Sequence, residues 1–222
     1  WIDLGLDGID AKVTFSPHDA SNAMLQSIAD DVDGTTSSLF FALAFLYQTQ
    51  GPLRDAIQNV FNKPGTFVYG ISDKKVGGLE LLKPSGSIAP VYPSVLKKNL
   101  PPPFSEEPSG GNGIRLHHKF IVIDFDKPTA RVYLGSYNCS SAADKDNGEN
   151  LLLIRDQRIA VSYMIEAVRI IDHYHFRVAQ KDAKKAKKAF ALSRPPRKAG
   201  EVAWWEEDYT IEHKIRDREL FA

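Results

Sequence analysis

A single cysteine, Cys139, stands in a chain of 222 residues, so no disulfide can form within it and cysteine pairing says nothing of compartment. Net charge is missing as well. Lysine plus arginine balance aspartate plus glutamate at 28 each, which removes any long-range pull toward nucleic acid or anionic lipid and leaves such attraction to a local patch. No apolar run approaches the roughly 18 residues of a membrane span. The best one, Leu39–Tyr47 (LFFALAFLY), has the length of a strand. No signal peptide is visible, and the opening on Trp1 reads as a processed or cropped end with material missing upstream. A soluble protein is expected. The rest is ordinary: 43% hydrophobic and 25% charged residues are enough for one substantial core.

Periodicity supplies the elements. Val13–Pro17 reads as a short strand. A helix capped by Asp19 or Ser21 follows to about Asp33, with Met24, Leu25, Ile28 and Val32 on one face and Gly34 ending it. Ser38–Tyr47 is apolar on both alternating faces, as a strand covered on both sides requires. A helix over Leu53–Phe61 and a strand over Thr66–Ile71 complete an alternation that argues for a sheet with parallel neighbours. Between Ser72 and Asn112 the chain is rich in proline and glycine and reads as a long irregular segment. Ile114–Asp124 and Ala130–Gly135 then form a hairpin. Asn150–Ile154 is a further strand and Gln157–Val178 a long helix. The basic run Lys181–Lys188 continues that helix with a solvated face. Beyond it, Pro195, Pro196, Trp204, Trp205 and Tyr209 suggest an irregular tail packed on the domain.

The chemistry-bearing stretch is Arg115–Asp124 (RLHHKFIVID). His117 and Lys119 are two apart and, in a strand, share a face, whereas Asp124 and His118 point away by parity. An imidazole beside an ammonium suits a phosphate: one attacks phosphorus and the other neutralises its oxygens. The same pair serves equally well as an exposed polar face. At the end of the next strand lies Gly135–Asn138 (GSYN), where Gly135 permits close approach and Ser136 and Asn138 can aim a hydroxyl and an amide at an oxygen. Glu149, opening the following strand, can fix a histidine tautomer. A cap or turn for Ser136 and Asn138, and a solvent carboxylate for Glu149, are the structural alternatives.

Together these residues resemble the phospholipase D superfamily, whose signature is His-any-Lys, four residues, Asp, then Gly-Ser-any-Asn. Here it is carried by His117, Lys119, Asp124 and the segment Gly135–Asn138, with Glu149 downstream; ten residues separate Asp124 from Gly135, a longer hairpin turn than is usual there. The resemblance implies an α/β fold with a mixed, largely parallel β-sheet flanked by helices. Residues 1–180 would form the catalytic domain, and 181–222 a basic helix and an irregular aromatic extension like that of larger bacterial members. It also implies a phosphodiesterase working through a covalent phosphohistidine without metal or other cofactor. In that scheme His117 is nucleophile or acid/base partner, Lys119 and Asn138 hold the phosphate, Ser136 assists, Glu149 supports a histidine and Asp124 is structural.

The signature occurs once. His18, His118, His173, His175 and His213 begin no second copy, so a second half-site is expected from an upstream segment or from a homodimer partner. The substrate is expected to be a phospholipid or a nucleic acid. Lys184, Lys185, Lys187 and Lys188 offer a basic patch for the latter, and apolar residues of Ile88–Phe104 a peripheral membrane contact for the former. A non-catalytic phosphate-binding or dimerisation module of the same fold is the different-class alternative.

Overall fold

The computed structural model describes residues 1–18, 22–46, 51–72, 81–82, 88–89, 116–185, 187 and 194–222, with the backbone alone for 81–82, 88–89 and 173–185. Among the described residues, nine strands and six helices follow in this order: β1 (Ile2–Asp3), β2 (Asp10–Phe15), α1 (Ala23–Asp33), β3 (Ser38–Leu43), α2 (Pro52–Asn62), β4 (Phe67–Ser72), β5 (Leu81–Leu82), β6 (Ile88–Ala89), β7 (Lys119–Ile123), β8 (Arg131–Gly135), α3 (Ser141–Lys145), β9 (Asn150–Arg155), α4 (Gln157–Lys185), α5 (Glu206–Thr210) and α6 (Glu212–Leu220). Seven of the strands make one sheet in the order β1-β2-β9-β8-β7-β3-β4.

The sheet is mixed, as expected, but not largely parallel. Among the described strands only β3 and β4 run parallel, joined by the α2 crossover. The pairs β1/β2, β2/β9, β3/β7, β7/β8 and β8/β9 are all antiparallel. The strand–helix–strand pattern of 38–72 was legible because it is local. The insertion of β7 beside β3, in the opposite sense, is a long-range pairing that no local pattern carries.

Burial explains the apolar run 39–43 of β3. Leu39, Phe41 and Leu43 pack against α1 and α2 through Leu25, Ile28, Ile57 and Val60, while Phe40 and Ala42 face the α4 side with Ala160 and Ala167. Strand alternation thus feeds two cores at once. The α1 stripe is the expected one, although the residue capping it is Asn22, in a left-handed conformation; Asp19 and Ser21 lie outside the described residues. Most of the expected irregular stretch from Ser72 to Asn112, including all of 90–104, also lies outside them.

Gly70 of β4 sits directly opposite Phe41, and a Cβ there would come within 2.1 Å of the Phe41 ring. That ring is fully buried. Gly70→Ala is therefore expected to lower the unfolding free energy by about 1–3 kcal/mol, the usual cost of overpacking a tight core, as read by urea denaturation.

The tail departs from the irregular expectation. It contains α5 and α6, with Glu206, Glu207 and Asp208 in the first turn of α5 and Arg218 in the last turn of α6, placements that favour the helix dipole. Phe221 packs against Phe40, Phe67 and Phe125 at centroid distances of 6.2, 5.2 and 6.0 Å. Trp204 and Tyr209, expected to pack on the domain, are instead exposed.

Candidate active site

Antiparallel pairing brings five strand ends to one edge of the sheet. β3 ends there at Leu43, β8 at Gly135 and β2 at Phe15, while β7 begins at Lys119 and β9 at Asn150. The signature residues other than Asp124 collect on this edge. Where the sequence suggested that His117 and His118 lie within a strand, the ladder begins only at Lys119, and both histidines sit exposed just ahead of it. The His118 carbonyl still accepts the Ala44 N–H (2.9 Å), which fixes the approach to the strand.

The Lys119 ammonium donates to the His117 carbonyl at 2.9 Å. Burial lowers the Lys119 pKa from the ordinary lysine value, and the Glu149 carboxylate pulls the other way. Phe45 flanks both residues. Its ring meets the His117 imidazole edge-on at 5.9 Å and 87°, and the Lys119 ammonium lies 6.0 Å from its centroid. Phe45 holds φ at 63°, an uncommon backbone state for a bulky residue. Nothing in the sequence marked it beyond its place in an apolar run.

Ser136 and Asn150 are interlocked. The Ser136 N–H donates to the Asn150 carbonyl (3.1 Å) and Oδ1 (3.3 Å), while Ser136 Oγ accepts from the Asn150 N–H (3.0 Å) and Nδ2 (3.3 Å). Both acceptor positions of the hydroxyl are used, which leaves its proton to donate. Gly135 makes this closeness possible: a Cβ there would lie 2.4 Å from the Asn150 carbonyl oxygen, and its φ is 140°. From the sequence Asn150 reads only as the start of a strand.

Asn138 is half-buried, and its Oδ1 is buried without a hydrogen-bond partner. Beside it, burial pushes the Cys139 thiol up to about 12, so this residue remains protonated and is no nucleophile at neutral pH. Glu149 accepts a long hydrogen bond from Asn147 Nδ2 (3.5 Å), and among the described residues no hydrogen bond joins it to His117.

Asp124 stands at the far end of β7, away from this edge. Its carboxylate is buried and accepts from the backbone N–H groups of Thr36, Ser37 and Ser38 and from the Thr36 hydroxyl, at 2.7–3.1 Å. The structure thus brings His117, Lys119, Ser136, Asn138 and Glu149 to one edge and keeps Asp124 apart. Among the described residues no three His, Cys, Asp or Glu side chains cluster as a metal would require.

No family model matches the chain. Two curated relatives, each called phospholipase D, from Rickettsia conorii and Rickettsia typhi, are 48% and 50% identical to it over 48 residues. That stretch is 22% of this chain and 22% of the length of each relative. Among solved structures, NucT from Helicobacter pylori aligns with a TM-score of 0.49 and 20% identity, over 75% of this chain and 97% of its own. The mixed seven-stranded sheet, with a histidine, a lysine, a serine and an asparagine gathered where its strands end, defines an α/β protein with a polar cluster at one sheet edge. The resemblance to the phospholipase D superfamily thus rests on the signature of His117, Lys119, Asp124 and Gly135–Asn138 and on this local similarity to the Rickettsia phospholipases D.

Proposed function

We propose that this chain supplies one half of a phosphodiesterase site, in which a His117 ring nitrogen is the nucleophile. The observation that carries the reading is the exposed His117 imidazole, seated on Phe45 beside a partly desolvated Lys119 ammonium. The imidazole attacks phosphorus, a nitrogen–phosphorus bond forms, and the bond to one ester oxygen breaks. The departing alkoxide takes a proton from an acid on the second half-site. Water then attacks phosphorus, gives its proton back to that group, and releases the imidazole. Lys119 and the Asn138 amide hold the non-bridging oxygens, and the Ser136 hydroxyl donates a further hydrogen bond. Charge stabilisation of this kind gains strength where water is excluded. Glu149 sets the field at Lys119, and its support of a histidine belongs to the assembled site.

One histidine cannot be nucleophile and leaving-group acid at once, so the second half comes from a partner copy or from an adjoining domain. The substrate is a phosphodiester of a phospholipid or of a nucleic acid. Incubation with bis-(p-nitrophenyl) phosphate in EDTA is expected to release nitrophenol, with mass in solution measured in parallel. Full activity from a monomer of this length would refute the need for a second half, and no His117-dependent release at any concentration would leave the non-catalytic reading. Parallel assays on phosphatidylcholine vesicles and plasmid DNA separate the two substrates.

The depressed Lys119 pKa gives a signed expectation. As pH rises, the ammonium loses its proton earlier than an ordinary lysine, so phosphate binding weakens on the alkaline side below the usual lysine range. In Lys119→Arg, whose guanidinium stays charged, that limb of the kcat/KM profile is expected to vanish. An unchanged limb would remove Lys119 from the phosphate grip.

A further inference from the structure

Asn138 makes no hydrogen bond of its own among the described residues, so whatever aims its amide must act through its neighbours. On one side, Ser136 is tied to Asn150. The other tether is Tyr137. This fully buried phenol donates at 3.0 Å to Asp144 Oδ1, and burial together with that carboxylate holds it protonated well above the usual tyrosine range.

Asp144 is itself fully buried on α3 and carries a charge that needs an answer. His18 provides it. Its Nδ1 lies 2.7 Å from Asp144 Oδ1, its backbone N–H donates to the Asp144 carbonyl (2.9 Å), and its Nε2 meets Thr14 Oγ1 at 3.0 Å. A carboxylate only accepts, so the proton between the two groups sits on Nδ1. Asp144 Oδ2 is buried and unpartnered, so His18 and Tyr137 share a single oxygen. The pair also ties the end of β2 to the segment before β9. Ser16 Oγ donates to the Asn147 carbonyl (2.7 Å) and accepts the Glu149 N–H (3.0 Å). None of this is visible locally, since 126 residues separate His18 from Asp144.

We propose that Asp144, balanced by His18, is a positioning residue that acts through Tyr137 to aim Asn138 at the phosphate. The proposal rests on the reading of Asn138 as a phosphate-binding group. A strand end whose amide has no tether of its own gains its orientation from the two flanking anchors, and Asp144 is the buried one. Misplacement of a binding group by about 1 Å is enough to cost about 10²-fold in rate.

The test uses the full chain with inorganic phosphate as the binding probe and bis-(p-nitrophenyl) phosphate as the substrate. Tyr137→Phe removes one hydroxyl and little volume, and Asp144→Asn removes the charge. Each is expected to lower kcat/KM by about 10–10²-fold and to weaken phosphate binding about tenfold, the loss matching one charge-assisted hydrogen bond. The discriminating measurement repeats both changes in an Asn138→Ala background. If Asp144 acts through Asn138, neither change lowers kcat/KM further there, although each still lowers the melting temperature. Should Asp144→Asn fail to fold, Tyr137→Phe carries the same comparison alone. Wild-type kcat/KM and phosphate affinity in Tyr137→Phe, with Asn138→Ala crippled, would overturn the positioning role and leave the site reading standing. A wild type that neither binds phosphate nor cleaves the diester, or an Asn138→Ala variant that matches it, would overturn the site reading and this proposal with it.

Discussion

Replacing His117 by asparagine is expected to cut diester turnover by about 10⁴-fold or more, since loss of the attacking atom removes more than the roughly 10²–10⁴ of a single acid–base role. The fold should barely notice. His117 is exposed, and the hydrogen bond it makes to Lys119 uses its backbone carbonyl, which asparagine keeps. Surface changes of this kind usually shift stability by no more than about 0.5 kcal/mol. Asparagine also leaves Lys119 and Asn138 in place, so phosphate binding is expected to survive while turnover disappears. Quench-flow with a labelled diester, run beside calorimetric phosphate binding, reads the two separately. A loss of only about 10²–10⁴ would assign His117 to the leaving-group side, and turnover within about tenfold of wild type would place it outside the chemistry altogether.

Asp124→Ala is expected to do the opposite: little to the edge chemistry directly and much to the fold. Four donors converge on the Asp124 carboxylate, three of them backbone N–H groups of Thr36, Ser37 and Ser38. Hydrogen bonds to a buried charge are worth about 1.5–3 kcal/mol each, and an orphaned buried donor costs about 1–3 kcal/mol, so the total loss reaches about 4 kcal/mol or more. Asp124 also holds φ at 52°, a conformation that alanine adopts at further cost. Asp124→Asn separates the two effects. It tolerates the backbone and keeps one accepting oxygen, so about 2–3 kcal/mol should be lost by urea unfolding. A change below about 0.5 kcal/mol in the alanine variant would show that the loop 36–38 is held by something else.

How much could be read in advance depended on range. His117, Lys119, Ser136 and Asn138 fall within two short strings at one end of a hairpin, so their nearness was legible, although of the four only Lys119 lies within a strand. Asp124 was placed away from the others by parity, and it lies away from them, although the turn past β7 accomplishes this rather than the strand itself. Phe45, His18, Asp144 and Asn150 were missed because their roles come from contacts across the sheet. The α1 stripe and the double burial of β3 were legible since each reflects a local period. The direction of β7 beside β3 was not, because the sense of a distant pairing leaves no trace in either strand. In the tail, Pro195 and Pro196 suggested irregularity, and the short helices after them show how little two prolines say about residues ten positions on.

The β7 strand has a gauge length. Its five residues run from Lys119 at the site edge to Ile123, and Asp124 follows in its nest of amides. At about 3.4 Å per residue that interval is about 17 Å, and both ends are pinned. A deletion within 119–123 would let only one end reach its seat, and it would also turn the remaining side chains to the wrong core. The turn at 126–129, tied at neither end to the site, has no such constraint. Changes of length are therefore expected to be tolerated in the turn and not in the strand, so the spacing between Lys119 and Asp124 measures a distance.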